Sequence, residues 1–535
     1  MLGIEINPFA AELARVSVWI GHIQWARRHG LPPPADPVLR PLDTIECRDA
    51  VLAPDGSAAA WPKVDAIVGN PPFLGAKWMM ETLGEDYTQA LRAAYTDSVA
   101  ATADLVAYWI EKARCLVVED AKRKVGLVAT NMIRGVANRL VMDSLVSTCT
   151  IFDAWADEPW VLDGAEIRVS LICFDRTEHA LTRLDGLPVV SIHTDLSAGT
   201  SDLTRTTVLA SNVGIAIRGV EVGGPFDVYG DLARRWLRFP LNPNGMPNSA
   251  VLKPAISGRD VAGRRRDRWL IDFSNCSEAE AACYPEIFAH VSQHVRPGKA
   301  TNRESRTASN WWLHRRSGAD LRAAITSLDR FIATILVSKH RFFVWIARGL
   351  LPETRLVVIA RDDDTAFGIL SSSIHTLWTL RICQYHGVGN DPVYTPGTTF
   401  ETFPFPNGLT PNLPAASYAD NPAAQRIAAA ARDLVEKRDR WLNPPELIDI
   451  VPEVVPGFPD RIVPKNEKAA AILNGRTLTN LYNTRGTPAG TWLDNLHRTL
   501  DEAVAAAYGW PADLPDDEVL GRLLALNHAR APQAA

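Results

Sequence analysis

Asn70, Pro71, Pro72 and Phe73 follow directly on the apolar run Ala66-Ile67-Val68 and Gly69. A short buried strand ending in these four residues holds an amide oxygen, a rigid backbone and a ring around one planar amine. The two prolines fix φ and lack N–H donors, so the carbonyls there can face a substrate NH2 without other commitments. Phe73 can stack on a base. The reaction that such a loop serves is methylation of an amino nitrogen. A plain Pro-Pro turn, with Asn as a local hydrogen-bonding residue, is the ordinary alternative. The strand before it and the elements around it argue for the chemical reading.

Two acids stand upstream at matching places. Leu2 to Ile6 reads as a strand that carries Glu5, with Asn7-Pro8 behind it, where a nucleotide-binding fold sets a carboxylate against ribose hydroxyls. Thr44 to Cys47 reads as the next strand, followed by Asp49, a position that often faces adenine. Each acid alone is an unremarkable loop residue. Their order and spacing ahead of Asn70 give them weight together.

The stretches Gly3-Ile4-Glu5-Ile6-Asn7-Pro8, Ile67-Val68-Gly69-Asn70-Pro71-Pro72-Phe73-Leu74-Gly75 and Thr398-Thr399-Phe400-Glu401-Thr402-Phe403-Pro404-Phe405-Pro406 resemble those of the gamma-type N6-adenine DNA methyltransferases. Within these the chain is most similar to the MmeI-like enzymes of restriction-modification systems. The resemblance implies an α/β fold with a Rossmann-like class I methyltransferase sheet over residues 1–182. It further implies an α+β target-recognition domain over 183–408 and a helical C-terminal module over 409–535. The implied cofactor is S-adenosyl-L-methionine, with Glu5, Asn7, Asp49 and Asn70 as its contacts, and the implied partner is double-stranded DNA.

One family motif is missing: the first strand with its Asp/Asn-Pro-x-Cys-Gly-x-Gly turn. The glycines of that turn let backbone amides approach the cofactor's methionine end. Its absence implies a sheet without its first strand, open between the Glu5 strand and the Ala66–Gly69 strand, with unpaired backbone and apolar surface there. The nearest displaced copy, Gly387-Val388-Gly389-Asn390-Asp391-Pro392, lacks a strand-glycine-helix setting and reads as a turn. The expectation is a start-site truncation or one half of a split enzyme, with a separate N-terminal fragment or a nuclease subunit as a further partner. A noncatalytic DNA-binding remnant is the alternative. Enzymes that methylate protein glutamine or RNA adenine share the Asn-Pro-Pro-aromatic loop, but the long segment beyond Arg183 exceeds what a small substrate requires.

By the resemblance, adenine flips out of the duplex, Asn70 and the Pro71 carbonyl accept its two amine hydrogens, and Phe73 and Trp160 hold the ring. The sequence itself places Trp160 in Asp157-Glu158-Pro159-Trp160, between two expected strands, Thr150–Trp155 and Glu166–Phe174. Such a Trp serves equally as a packed lid. Asp104, at the start of an expected helix to Val118, reads as a cofactor contact or an N-cap.

The length of 535 residues and the 47% apolar content allow two or three domains. A net charge of −5 excludes a generally basic nucleic-acid coat, so DNA contact must come from local patches. One patch stands out: Arg264, Arg265, Arg266, Arg268, Arg296, Lys299, Arg303, Arg306, Arg315 and Arg316, with Trp311, Trp312 and His314 interleaved. Arginine with exposed aromatics suits phosphate contact and base-edge reading. The seven cysteines are scattered, which reads as reduced thiols of a cytoplasmic protein. No signal pattern, membrane-length run or zinc spacing is present, so neither a membrane nor a metal is expected. Gly258 to Gly263 lacks the Lys-Ser/Thr of a phosphate loop. Asp120-Ala121-Lys122 has nuclease spacing without an upstream Pro-Asp, and cleavage is not expected.

Overall fold

The order of apolar runs and helix signals becomes two compact units, Met1–Thr204 and Arg205–Ala535, in a computed structural model. The structure describes residues 1–32, 44–162, 165–198, 203–300, 309–386 and 391–531.

In the first unit β1 (Gly3–Glu5) leads into α1 (Pro8–Arg28). The helix starts there for local reasons: Asn7 Oδ1 accepts from Phe9 N at 2.9 Å and Ala10 N at 3.2 Å, and Pro8 needs no N–H partner. β2 (Ile45–Cys47) pairs in parallel with β1, Gly3 opposite Ile45. There follow β3 (Ala66–Gly69), α2 (Ala76–Leu83), α3 (Glu85–Ala94), α4 (Val106–Glu119), β4 (Lys124–Thr130) and α5 (Arg139–Thr148). The unit closes with β5 (Thr150–Leu162), β6 (Ala165–Asp175), β7 (Thr182–Leu184) and β8 (Leu187–Val189).

Six strands form one sheet in the order β3-β4-β6-β5-β7-β8, with β3 and β4 parallel and β6 antiparallel to both β4 and β5. Val106, Ile110, Ala113 and Val117 of α4 belong to one buried cluster with Val125 and Leu127 of β4, Leu145 of α5 and Phe174 of β6. Removal of these side chains from water is the main stabilising contribution in this unit.

The β1–β2 pair is not joined to that sheet. Among the described residues β1 pairs with β2 alone and β3 with β4 alone, so each keeps an unpaired edge. Apolar surface is left open beside these edges. Val68 on β3 is 82% exposed, and on α1 Phe9 is 73% exposed, with Leu13, Val16 and Ile20 open on the same helical stripe. The helix buries only Ala11 and Ala26.

The second unit holds two four-stranded sheets. One runs β10 (Asp227–Tyr229), β12 (Arg268–Ile271), β11 (Leu252–Ile256), β15 (Leu351–Pro352); the other runs β14 (Phe343–Ala347), β13 (Arg330–Ile335), β16 (Leu356–Ile359), β9 (Ala216–Arg218). These sheets accord with the α+β character expected of 183–408. The expected C-terminal helices are Pro422–Leu442, Thr491–Tyr508 and Asp516–Arg530. They do not form a unit of their own. Pro422–Leu442 packs on Thr491–Tyr508 and on the helix Asp364–Ser371, where Gly368 permits the approach: a Cβ there would stand 2.5 Å from Ile427 Cγ2. Asn527 of the last helix donates to the carbonyls of Thr207 at 2.8 Å and Thr402 at 2.7 Å, tying that helix to the rest of the unit. The stretch that carries Phe400, Phe403 and Phe405 lies in this core, all three rings being buried. No described helix is long and apolar enough to cross a membrane.

Candidate functional site

Asn70 emerges from the carboxyl end of β3 into an irregular loop that runs to Gly75. Pro71 is buried, Phe73 half-buried, and Asn70 and Pro72 are exposed. The Asn70 side chain bonds no described residue, so both its donor and acceptor face outward uncommitted. The far end of the loop is fixed: Leu105 N donates to the Leu74 carbonyl at 2.9 Å, and Ala76 N to Asp104 Oδ1 at 3.3 Å.

Asp104 itself is held by Asn138, a buried residue that the sequence reading missed. Asp104 N donates to Asn138 Oδ1 at 2.9 Å, and Asn138 Nδ2 donates to Asp104 Oδ2 at 3.0 Å and to the Met132 carbonyl at 3.0 Å. Asp104 is therefore not the N-cap of α4, a place taken by Leu105. It clamps the entry of α2 to the turn before α5. No sequence spacing could have paired these two residues.

Of the upstream acids, Glu5 accepts from Asn7 N at 2.8 Å through Oε1. Asn7 is occupied as the cap of α1. Asp49 is more heavily engaged: Oδ1 accepts from Val51 N at 2.7 Å and Leu52 N at 3.0 Å, and Oδ2 from Tyr87 Oη at 2.8 Å. Burial, reinforced by that bond, keeps the Tyr87 phenol protonated far above its ordinary range. A carboxylate offers about four lone-pair sites, so Asp49 keeps one acceptor position.

Trp160 is not in a loop. β5 continues past a bulge between Trp155 and Glu158, and Trp160 sits within it opposite Ile167, half-buried. The register Thr130↔Val169 and Glu158↔Val169 puts it at the same end of the sheet as Asn70. Three strand spacings separate β5 from β3, roughly 14 Å. Arg168 and Asp157 form an ion pair of 3.0 Å at that end, with Asn131 Nδ2 on the same carboxylate at 3.3 Å.

The basic segment of the second unit divides sharply. Trp311 and Trp312 are 6% and 8% exposed, and Trp312 Nε1 donates to the Cys276 carbonyl at 2.9 Å. This corrects the expectation of exposed, base-reading rings, because aromatic area of that size is buried in the core. His314 is buried with Nε2 at the Ile271 carbonyl. Lys299 is buried as well and donates to the Leu313 carbonyl; burial pushes its ammonium down to about 8. Arg296 lies over the Trp311 ring. Arg266 pairs with Asp260 at 2.9 Å, Arg268 pairs with Asp227 and Glu353, and Arg315 and Arg316 share Glu221 at 2.9 and 3.5 Å. Arg264 and Arg265 flank a cavity, with no carboxylate paired to either. Arg303, Arg306 and the glycines of 387–390 lie outside the described residues. Gly258 opens a short helix under a Ser257–Asp260 capping box.

Comparison with known proteins bears on the same regions. No curated protein matches this chain. Among solved structures, the type IIL restriction-modification enzyme MmeI in complex with DNA superposes with a TM-score of 0.72 at 17% identity, over 99% of this chain and 66% of that one. The chain thus spans about two thirds of that enzyme's length, and the likeness is one of fold. The type IIG restriction endonuclease BpuSI gives a TM-score of only 0.24 at 10% identity, over 87% of this chain and 56% of that one, too low to carry an argument. The sequence of residues 1–183 matches the family described as MmeI, DNA-methyltransferase domain.

Proposed function

We propose that this chain carries the methyl-transfer and DNA-recognition parts of a site-specific adenine-N6 DNA methyltransferase in a restriction-modification system. The observation that carries the reading is Asn70, exposed and uncommitted at the end of β3 on a loop whose far end is clamped. Its amide oxygen accepts one hydrogen of a flipped adenine amine and the Pro71 carbonyl the other, which makes the nitrogen lone pair available. Phe73 stacks on the base. Trp160, at the same sheet end, closes over the outer side. Flipping the base costs a few kcal/mol, offset by these contacts.

The residues present fit part of S-adenosyl-L-methionine. Glu5 keeps Oε2 for ribose hydroxyls, and Asp49 keeps one acceptor for an adenine N–H. When bound, this cofactor supplies a methyl group made electrophilic by its sulfonium. Arg264, Arg265 and Arg316 are the arginines best placed for DNA phosphate among the described residues.

The open edges of β1 and β3 favour a second reading, in which these residues bind DNA but require a separate strand-glycine-turn fragment to hold the cofactor. That β1 pairs only with β2, in a sheet separate from the one β3 begins, supports it. Two measurements test both readings. Radiolabelled methyl transfer to duplex DNA, RNA and protein, with the chain alone and with such a fragment added, identifies the substrate; a cofactor titration of the chain alone separates a self-sufficient enzyme from one that needs the fragment. Transfer to RNA or protein but not DNA overturns the proposal.

A further inference from the structure

A cavity of about 310 Å3 in the second unit lies between the α7 helix (Gly258–Ala262) and β12 on one side and β14, the end of helix Pro422–Leu442 and the hairpin Ile448–Val451/Arg461–Pro464 on the other. Its charges are unequally matched. Asp260 is taken by Arg266, and Asp267 and Glu453 by Arg234 at 2.6 and 3.0 Å. Arg264 donates to the Leu442 carbonyl at 2.9 Å, and Arg438, only 2% exposed, to the Phe343 carbonyl at 2.9 Å. Arg265 makes no hydrogen bond or ion pair to a described residue. Three guanidinium groups without a carboxylate partner therefore line one cavity. The remaining carboxyl on its wall is Asp439, whose value burial raises and the neighbouring Arg438 lowers.

The wall also carries donors without acceptors. Among the described residues Trp345 Nε1 and Arg438 Nε are buried without a hydrogen-bond partner; Arg461 Nε also makes no hydrogen bond but lies 3.6 Å from Glu453 Oε2. A buried donor left unpaired, and a buried cation left uncompensated, each cost free energy that an acceptor-only, negatively charged ligand would recover. Burial lowers the guanidinium values of Arg264 and Arg265, while Asp260, Asp267 and Glu453 act against it at Arg265.

We propose that this cavity is a phosphate-binding site, its ligand a phosphate group from a DNA backbone or from a small phosphorylated molecule. Phosphate has three or four acceptor oxygens and no donor, which suits this wall, and arginine forks hold it bidentately. The inference extends the DNA-contact reading of Arg264 and Arg265 from a surface to a cavity, and it is independent of the Asn70 loop.

The test uses the full chain and inorganic phosphate. Thermal unfolding at constant ionic strength, with chloride as reference, is expected to show a phosphate-dependent rise in Tm. Arg264→Ala/Arg265→Ala is expected to weaken the apparent phosphate affinity by about tenfold per guanidinium, whereas Arg498→Ala, on a distant helix, keeps the wild-type shift. Arg438→Ala is avoided because a buried cation is lost with it. Short duplex DNA that competes with phosphate identifies the backbone as the source; a shift that DNA leaves untouched identifies a small phosphorylated ligand. No shift with phosphate, or an equal shift in the double variant, overturns the proposal. A chain that binds phosphate but transfers no methyl group fails only the reading of Asn70.

Discussion

Asp104 and Asn138, 34 residues apart, exchange two hydrogen bonds of 2.9 and 3.0 Å and so fix the far end of the Asn70–Gly75 loop. Asn138→Ala leaves the Asp104 carboxylate short of a donor and opens a buried polar gap. The expected cost is about 1–3 kcal/mol in urea unfolding. In an active enzyme the displaced loop is expected to slow methyl transfer by up to about a hundredfold. Lost stability with unchanged transfer would make the contact purely architectural.

Asn70→Ala should do the reverse. The side chain is exposed and bonds nothing described, so unfolding is expected to stay within about 0.5 kcal/mol of wild type. Methyl transfer by the completed enzyme should fall at least about a hundredfold, since one of two acceptors for the amine is gone. Equal transfer in wild type and variant refutes the role of Asn70.

His375 and His497 are buried, and burial holds both imidazoles down to about 3; each accepts or donates at a tyrosine hydroxyl, Tyr394 at 3.0 Å and Tyr482 at 3.1 Å. The unfolded chain protonates them near 6.5 while the folded chain does not, so below pH 6.5 the unfolded state binds more protons. Stability of the second unit is therefore expected to fall as pH drops from about 6.5 toward 3, with a slope of up to about 1.4 kcal/mol per pH unit for each histidine. Urea unfolding across that range checks it. A double His→Gln variant with an undiminished slope would assign the effect elsewhere.

Trp312→Ala is expected to destabilise by about 3–5 kcal/mol, because the ring is buried. Arg316→Ala, at an exposed pair with Glu221, should leave stability within about 0.5 kcal/mol. If Arg316 contacts DNA phosphate, the slope of log affinity against log salt drops by about one in that variant. An unchanged slope removes Arg316 from the DNA surface.

Val68→Lys probes the open face of β3. With 82% of the residue exposed, the substitution is expected to leave unfolding of this chain unchanged. Should the active enzyme cover that face with a donated segment, the same lysine abolishes fragment-dependent transfer. Full transfer in the variant would show the face stays uncovered during catalysis.

The residues of the first unit announced most of their own structure. Apolar runs marked β1, β2, β3 and α4, because strand and helix periodicity act over a few residues. The Asn-Pro-Pro-Phe loop was legible for the same reason: its chemistry sits in four consecutive residues. Partnership between distant segments was not. That Asn138 holds Asp104, that Trp311 and Trp312 are core, that β5 carries Trp160 past a bulge, and that the C-terminal helices share a unit with Thr207 and Thr402 depend on contacts between residues far apart in the chain. Composition made Arg264, Arg265 and Arg438 charged residues like any others; only packing set them around one cavity, none of them in an ion pair with a described carboxylate, because burial and charge matching are properties of three-dimensional neighbours.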